Sequence, residues 1–203
     1  MLYTEYQYIK PPRAEQKIPA HLLKLFEAQG WWIQYKKNGT NSVIYVTPQK
    51  NVFAKTRHQD KPDHKMWVFS DASEAIFQKV SGNGWWVFNA ELLHSKTPHI
   101  KDTNYLHDVL VADGEYLLDM PYAERYDILL ATFPTIGETR SHFVLNENTW
   151  IARNREHDFG DEWNLLLEQD KSEDEGFVLK HPGRKIKESW TMKVRKPHKN
   201  YTF

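Results

Sequence analysis

The order of strand-like and helix-like segments is the feature that most constrains how this chain can fold. Short apolar runs typical of strands are separated by turn residues such as Asn38-Gly39 and Asp113-Gly114, which favours hairpins. Helical spacing and capping residues recur at irregular intervals between those runs. This irregular order predicts an α+β fold with mostly antiparallel sheets and flanking helices, and it argues against a doubly wound parallel sheet.

The predicted elements cover most of the chain. Strands are predicted over 31–35, 42–46, 52–57, 85–93, 105–111, 177–180 and 189–195, and helices over 21–29, 122–133 and 161–169. A further helix is predicted to begin at Asp71 and to be ended by Gly82. The turn at Asn38-Gly39 predicts that the strands on either side of it pair as a hairpin. Residues 1–17 are polar and are predicted to form an extended arm of a single domain that covers residues 1–203.

The amino-acid composition excludes several classes of protein. The 203 residues contain no cysteine, which excludes a disulfide scaffold and a cysteine-based zinc site. With no long apolar run and no signal peptide at the N-terminus, the chain is expected to be soluble and cytoplasmic, without a membrane contact. Acidic and basic residues balance at 27 each, but the basic residues within 184–199 could bind phosphates or form a solvated tail.

Lys36 is the strongest candidate for a nucleophile. It stands at the end of an apolar strand, three residues before Gly39. An amine must be neutral to attack phosphorus, and desolvation by aromatic neighbours such as Trp32, together with a nearby cation such as Lys37, favours the neutral form. Gly39 would let the backbone turn close to a triphosphate. Taken alone, such a Lys-Lys-Asn-Gly segment is more often a plain hairpin turn.

Three further segments carry charges in places where strands are predicted. Glu91 lies inside an apolar strand, where a carboxylate needs a partner such as a pair of ribose hydroxyls or an arginine. Glu175 and Lys180 stand at the two ends of the next-to-last strand. Lys193 and Arg195 share one face of the last strand, and two cations on one face suit a triphosphate. Each segment alone also fits an ordinary surface strand.

Read in order, these segments resemble the nucleotidyltransferase motifs of ATP-dependent polynucleotide ligases and mRNA capping enzymes. The six resembling segments keep the family's order within residues 34–195. They are Lys36-Lys37-Asn38-Gly39, Thr56-Arg57, Asn89-Ala90-Glu91-Leu92, the run from Leu106 through Asp108-Val109-Leu110 and Asp113-Gly114 to Glu124-Arg125, Glu175 to Lys180, and Trp190 to Arg195.

The resemblance implies a covalent mechanism. Lys36 would attack the α-phosphate of ATP, release pyrophosphate and carry a lysyl-AMP. Glu175 would hold Mg²⁺ or Mn²⁺ at the α-phosphate. Lys180, Lys193 and Arg195 would neutralise charge that builds up on the phosphates.

The resemblance also implies a nucleotide-binding set around Lys36. Arg57 and Glu91 would contact the ribose or the neighbouring strand end, and His107, in place of the family's Phe or Tyr, would stack on the adenine. The full set consists of Gln34, Tyr35, Gly39, Arg57, Glu91, His107, Lys180 and Lys193. A separate group, His58, Asp60, Asp63 and His64, could bind a metal, although a solvated loop is the expected structure there.

The activity that the resemblance implies is ligation. The AMP would pass to the 5′-phosphate of a nucleic acid strand, and a 3′-hydroxyl would displace it to seal the break. Asn38 favours an RNA substrate, whereas Asp108-Val109-Leu110 favours DNA. Two alternatives stay open: a capping-type guanylyltransferase, and an inactive nucleic-acid binding module with the same fold.

The family usually carries an OB-fold domain after its last motif, whereas eight residues follow Arg195 here. A stand-alone catalytic domain is therefore expected, acting as a monomer. Other surfaces or a partner protein would then hold the duplex.

Overall fold

The computed structural model describes residues 1–10, 14, 16–56, 69–169, 171, 173–188 and 191–197. Within them the chain forms a short 3₁₀ helix, Ala20–Leu22, and four α-helices: α1 (Leu23–Ala28), α2 (Asp71–Gln78), α3 (Tyr122–Thr132) and α4 (Phe159–Gln169). The strands are β1 (Gln16–Lys17), β2 (Trp32–Lys37), β3 (Thr40–Val46), β4 (Val52–Thr56), β5 (Trp86–Leu93), β6 (Thr103–Ala112), β7 (Glu115–Tyr116), β8 (Gly137–Glu138), β9 (His142–Asn146), β10 (Thr149–Ala152), β11 (Asp174–Lys180) and β12 (Thr191–Arg195).

The described strands form two sheets. The smaller sheet has the order β1-β12-β11-β2, and the larger has the order β4-β3-β5-β6-β10-β9-β8, with β7 paired to β6. The pairs β1–β12 and β6–β10 are parallel, and the other pairs are antiparallel. Helices α1 and α4 cover one sheet, while α2 and α3 cover the other. The predicted α+β fold with mostly antiparallel sheets is confirmed.

Alternating apolar side chains fix each sheet to its helices. In the smaller sheet, Ile33 and Phe177 are fully buried together with Phe159 of α4. In the larger sheet, Phe88 and Leu106 are buried against α2 and α3. Burying a side chain of this size stabilises the fold by roughly 1.5–3 kcal/mol. These two cores hold the sheets against their helices, and a third apolar cluster that includes Tyr3, Tyr45 and Val87 covers the opposite face of the larger sheet.

The predicted hairpin across Asn38-Gly39 is wrong. Strand β2 pairs with β11, whereas β3 pairs with β4 and β5, so the turn carries the chain from one sheet to the other. The N–H of Asn38 donates to the carbonyl of Glu173 at 2.8 Å. A methyl group at Gly39 would lie 2.5 Å from the carbonyl oxygen of Leu92 in β5. The turn is thus held by both sheets, which a local turn signal does not predict.

Other differences from the sequence prediction are local. Helix α2 is capped by Ser70, whose side chain accepts from the N–H of Ser73, and it ends at Gln78, before Gly82. Strands β8, β9 and β10 lie in a stretch for which no element was predicted. The N-terminal residues are extended but packed, since Tyr3 is buried and Leu2 bridges to Glu115.

None of the helices in the described part of the chain is long and apolar enough to cross a membrane.

Candidate active site

Lys36 lies on the polar face of the smaller sheet. Ile33 and Tyr35 point from β2 toward α1 and α4, so strand alternation directs Gln34 and Lys36 to the opposite face. Gln34 Nε2 donates to the hydroxyl of Tyr122 at 2.9 Å, which shows that this face meets helix α3. Lys36 therefore lies on the face that meets helix α3, opposite the apolar core that the smaller sheet forms with α1 and α4.

A β-bulge at Glu175 brings its carboxylate to Lys36. Asp174 pairs with Lys37 and Gly176 pairs with Lys36, which leaves Glu175 as the extra residue of β11. An extra residue interrupts the alternation and redirects a side chain. Glycine is required at 176, because φ is 147° there and a methyl group would lie 2.0 Å from a carbonyl oxygen of β12. The sequence Glu-Gly thus builds the bend that aims the carboxylate.

An ion pair joins Lys36 Nζ to Glu175 Oε2. Arg195 Nη2 lies 3.6 Å from the same carboxylate oxygen. The side chains of Lys36 and Glu175 are 21% and 17% exposed, so the pair is shielded but accessible. If the Glu175 carboxylate binds a different cation, Lys36 and Arg195 become available to bind an anionic phosphate.

The donor set at Glu175 fits a divalent cation that arrives with a nucleotide. Mg²⁺ usually binds one or two protein carboxylates, with substrate phosphates and water as its other ligands. Within the described ranges, no group of three or more His, Cys, Asp or Glu side chains could hold a metal ion. Glu175 is therefore suited to share an ion with phosphate oxygens, and the protein does not form a metal cage of its own there.

Glu91 reaches the same place from β5 of the larger sheet. The pKa of its carboxyl is raised to about 7, chiefly by burial and also by Glu175, although Lys36, Lys96 and a backbone hydrogen bond from Gly39 act in the opposite direction. A methyl group at Gly39 would lie 2.6 Å from Glu91 Cγ. Glycine is needed at 39 because the turn passes directly over Glu91.

His107 lies at a second bulge. Leu106 pairs with Ala90, and Asp108 pairs with Asn89, so His107 is the extra residue of β6. Burial lowers the pKa of its imidazole well below the usual value, and the charges of Lys180 and Lys36 lower it further. The ring is therefore neutral, and no group in the described part of the chain hydrogen-bonds its buried Nε2. A neutral flat ring with a free nitrogen is suited to contact a ligand.

Lys180 lies at the far end of the site from Lys36. It pairs with Trp32, four residues before Lys36, which corresponds to about 13 Å along the strand. Its Nζ donates to the carbonyl of His107 at 2.9 Å and to the hydroxyl of Tyr122 at 3.2 Å. Burial lowers the pKa of this amine to about 7. The family resemblance implies that Lys180 contacts the phosphates together with Arg195. The strand register instead places Lys180 away from both Lys36 and Arg195.

A buried ion pair supports this end of the site. Arg125 of α3 donates two hydrogen bonds, both of 2.9 Å, to the two carboxylate oxygens of Asp108. Arg125 is fully buried and Asp108 is 1% exposed. The pair holds the strand next to His107 against α3.

Lys193 and Arg195 lie two residues apart on β12, and their contacts differ. Lys193 Nζ donates to the carbonyl of Ala14 at 2.7 Å, which ties it to the N-terminal arm. Arg195 approaches Glu175 instead. The two predicted phosphate ligands therefore lie on the strand beside Glu175, on the same sheet as Lys36.

Tyr35 and Lys37 lie on the other face of β2. The hydroxyl of Tyr35 donates to Glu162 of α4 at 2.9 Å, and Lys37 Nζ pairs with Asp174 at 2.7 Å. The expectation that Lys37 is a neighbouring cation of Lys36 does not match this arrangement, because alternation points consecutive side chains to opposite faces.

Lys96 is a site residue that the sequence interpretation missed. It lies in the connection between β5 and β6, and its Nζ donates to the carbonyl of Gly39 at 2.6 Å. No pattern in the sequence indicates that contact. Arg57 and the group from His58 to His64 lie outside the described residues, so their predicted roles stay predictions.

The same fold occurs in solved DNA ligases. A mycobacterial DNA ligase D complexed with ATP and MES is similar with a TM-score of 0.61 and 15% identity, over 92% of this chain and 60% of that one. The ligase domain from M. tuberculosis LigD is similar with a TM-score of 0.57 and 15% identity, over 93% and 58%. Pmar-Lig_PreS3 is similar with a TM-score of 0.54 and 12% identity, over 89% and 45%.

These likenesses establish the fold. The chain has the nucleotidyltransferase fold of the ligase domains, and it spans 60% or less of the length of each of those three chains. No family model matches the sequence, and no curated protein does.

Proposed function

We propose that this chain, which has the fold of ligase nucleotidyltransferase domains, is a single adenylation domain of an ATP-dependent polynucleotide ligase. The observation that carries the proposal is the meeting of Lys36 and Glu175 from one sheet with Glu91 from the other. A solved neighbour with this fold is complexed with ATP, which supports ATP as the nucleotide.

The first step is adenylation of Lys36. Its ammonium gives up the contact with Glu175 and a proton to solvent, and the lone pair of the resulting amine attacks the α-phosphorus of ATP, after which the nitrogen loses a second proton to solvent. A P–N bond forms, the bond to the bridging oxygen breaks, and pyrophosphate leaves. Lys193 and Arg195 offset the negative charge of the phosphates.

Glu175 would hold the divalent cation, Mg²⁺ or Mn²⁺, together with phosphate oxygens, and this ion would supply positive charge against the negative charge that develops on the α-phosphate. Glu91, when ionised, accepts hydrogen bonds from the two ribose hydroxyls. Both roles use carboxylates that already lie beside Lys36.

The base lies at the end of the site formed by His107, Lys180 and Tyr122. The neutral imidazole of His107 offers a flat face to adenine, and its Nε2, which has no hydrogen-bond partner among the described residues, offers a hydrogen bond. About 13 Å of strand separates Lys180 from the position of Lys36. Lys180 therefore lies near the base, and Lys193 and Arg195 bind the phosphates.

Two further steps complete ligation. A 5′-phosphate oxygen attacks the AMP phosphorus and the P–N bond breaks, so Lys36 recovers its amine and the strand carries AMP. The 3′-hydroxyl of the adjoining strand then attacks that 5′-phosphate, and AMP leaves. The solved neighbours include DNA ligases, which favours DNA as the acceptor strand.

The decisive test is covalent labelling. Incubation with Mg²⁺ and ATP carrying ³²P at the α-phosphate should label the protein through an acid-labile P–N bond. Lys36→Ala should abolish the label, while Lys101→Met, at an exposed lysine elsewhere, should retain it. Absence of label in the wild-type protein would refute the proposal, and labelling by GTP in preference to ATP would instead favour a guanylyltransferase.

The acceptor is tested with nicked duplexes that differ only in the sugar at the 3′-hydroxyl end. Sealing of the deoxyribose nick is expected. If only the ribose nick is sealed, the acceptor strand is RNA, because a contact to the 2′-hydroxyl is what distinguishes the two nucleic acids.

A further inference from the structure

Lys96 holds the turn that follows the proposed nucleophile. It lies in the connection between β5 and β6, and its Nζ donates to the carbonyl oxygen of Gly39 at 2.6 Å. A charged donor makes a hydrogen bond about twice as strong as a neutral one. We call Asn38-Gly39 the nucleophile turn, since it begins two residues after Lys36.

Besides the hydrogen bond between Gly39 and Glu91, the nucleophile turn has three anchors, and each comes from a different segment. The N–H of Asn38 donates to the carbonyl of Glu173 at 2.8 Å, beside β11. The backbone of Gly39 packs directly on β5, where a methyl group would lie 2.5 Å from the carbonyl oxygen of Leu92. Lys96 supplies the third anchor through the Gly39 carbonyl. A shift of the turn would move the end of β2 and therefore Lys36.

Lys96 also lies close to Glu91. Its charge is one of the influences that favour the ionised form of that carboxyl, together with Lys36 and against burial and Glu175. The same cation thus faces both the nucleophile turn and the carboxylate beneath it.

We propose that Lys96 is a positioning residue for lysine adenylation: its bond to the Gly39 carbonyl fixes the nucleophile turn so that Lys36 faces Glu175 and the bound nucleotide. The proposal rests on the proposed function. Lys96 acts through the turn and touches no reacting atom, so its loss should slow the chemical step more than it weakens ATP binding.

Lys101 provides a matched control in the same connection. Its Nζ donates to the backbone carbonyl of His94 at 2.7 Å. Lys96→Met and Lys101→Met therefore remove the same charge and the same kind of hydrogen bond. They differ in whether the carbonyl belongs to the nucleophile turn and in whether the lost cation lies near Glu91.

Single-turnover labelling gives the first measurement. With ATP saturating, Lys96→Met should lower the labelling rate by about 10- to 100-fold, as expected for the loss of one charged hydrogen bond. At pH 9, where Glu91 stays ionised, the ATP concentration at half-maximal rate should change little, and Lys101→Met should keep the wild-type rate. Lys96→Arg should recover part of the rate, because the guanidinium is also a charged donor. Equal rates for the two methionine variants would overturn the proposal.

Hydrogen exchange gives a second measurement that needs no activity. The amide of Asn38 should exchange faster in Lys96→Met than in Lys101→Met, because the turn loses an anchor. A slower labelling rate without faster exchange would overturn positioning. If the wild-type protein takes no label, the proposed function fails, and the exchange result alone decides whether Lys96 anchors the turn.

Discussion

Lys180 makes a sharp prediction about how stability depends on pH. Its side chain carries an amine into the interior, where the residue is 5% exposed. The pKa of that amine falls from 10.5 to about 7, chiefly because of burial, with Asp108 opposing the shift and Arg125 adding to it. In the unfolded chain the amine is exposed and titrates near its ordinary value. The folded and unfolded states therefore bind different numbers of protons between pH 7 and about 10.5.

The sign and size of the effect follow from that difference. In this pH window the unfolded chain holds a proton that the folded protein lacks, so stability rises with pH and is lowest at pH 7 and below. At 1.36 kcal/mol per pKa unit, the full penalty is about 5 kcal/mol, and roughly 2 kcal/mol of it is relieved between pH 7 and pH 9. Lys180→Met keeps the length of the chain and removes the charge, and with it this pH dependence.

Urea unfolding of both proteins at pH 7 and pH 9 measures the effect. The free energy of unfolding of Lys180→Met relative to wild type should fall by about 2 kcal/mol from pH 7 to pH 9. The comparison cancels the titration of every other group. Lys187→Met serves as a control, because Lys187 is 74% exposed and loosely paired with Asp119. If the difference in the free energy of unfolding between Lys180→Met and wild type is the same at pH 7 and pH 9, the conclusion that Lys180 is buried as a neutral amine is wrong.

Three further predictions concern the turn, the buried pair and the base end. Gly39→Ala places a methyl group 2.5 Å from a carbonyl oxygen, so labelling should be lost and urea unfolding should show about 1–3 kcal/mol of destabilisation; normal labelling would contradict the tight packing. Arg125→Met leaves Asp108 buried without its cation and should cost about 3–5 kcal/mol in urea, whereas an unchanged midpoint would contradict the pair. His107→Phe should keep labelling activity and His107→Ala should raise the ATP concentration needed, since stacking requires a ring; equal behaviour of the two variants would exclude stacking.

The sequence predicted where most strands lie but not how they pair. Apolar runs such as 85–93 correspond to observed strands because their side chains must be buried on at least one face. The period of a strand carries no information about its partner, so β2 and β3 were assigned to one hairpin although they belong to different sheets. Strands β9 and β10 turn at Asn146 to Thr149 without glycine or proline, which removed the usual signal.

The site was predictable to the extent that it depends on strand geometry. Alternation alone implies that Lys37 points away from Lys36, and this is what the structure shows. The positions of Glu175 and His107 depend on bulges, which follow from pairing and cannot be obtained from one strand by itself. The contact of Lys96 with Gly39 joins residues 57 apart in the chain, so it appears only once the sheets are assembled.

The wrong hairpin assignment explains how the site is built. A hairpin at Asn38-Gly39 would place Lys36 beside β3 in one sheet, with its neighbours determined by the turn alone. Because the turn instead crosses between sheets, Lys36 stays on the smaller sheet with Glu175, while the chain continues into the larger sheet directly over Glu91. The distance between the nucleophile and Glu91 is thus set by how the turn docks on β5. Gly39 permits that docking and Lys96 secures it, and for this reason both residues should affect the chemical step although neither reacts.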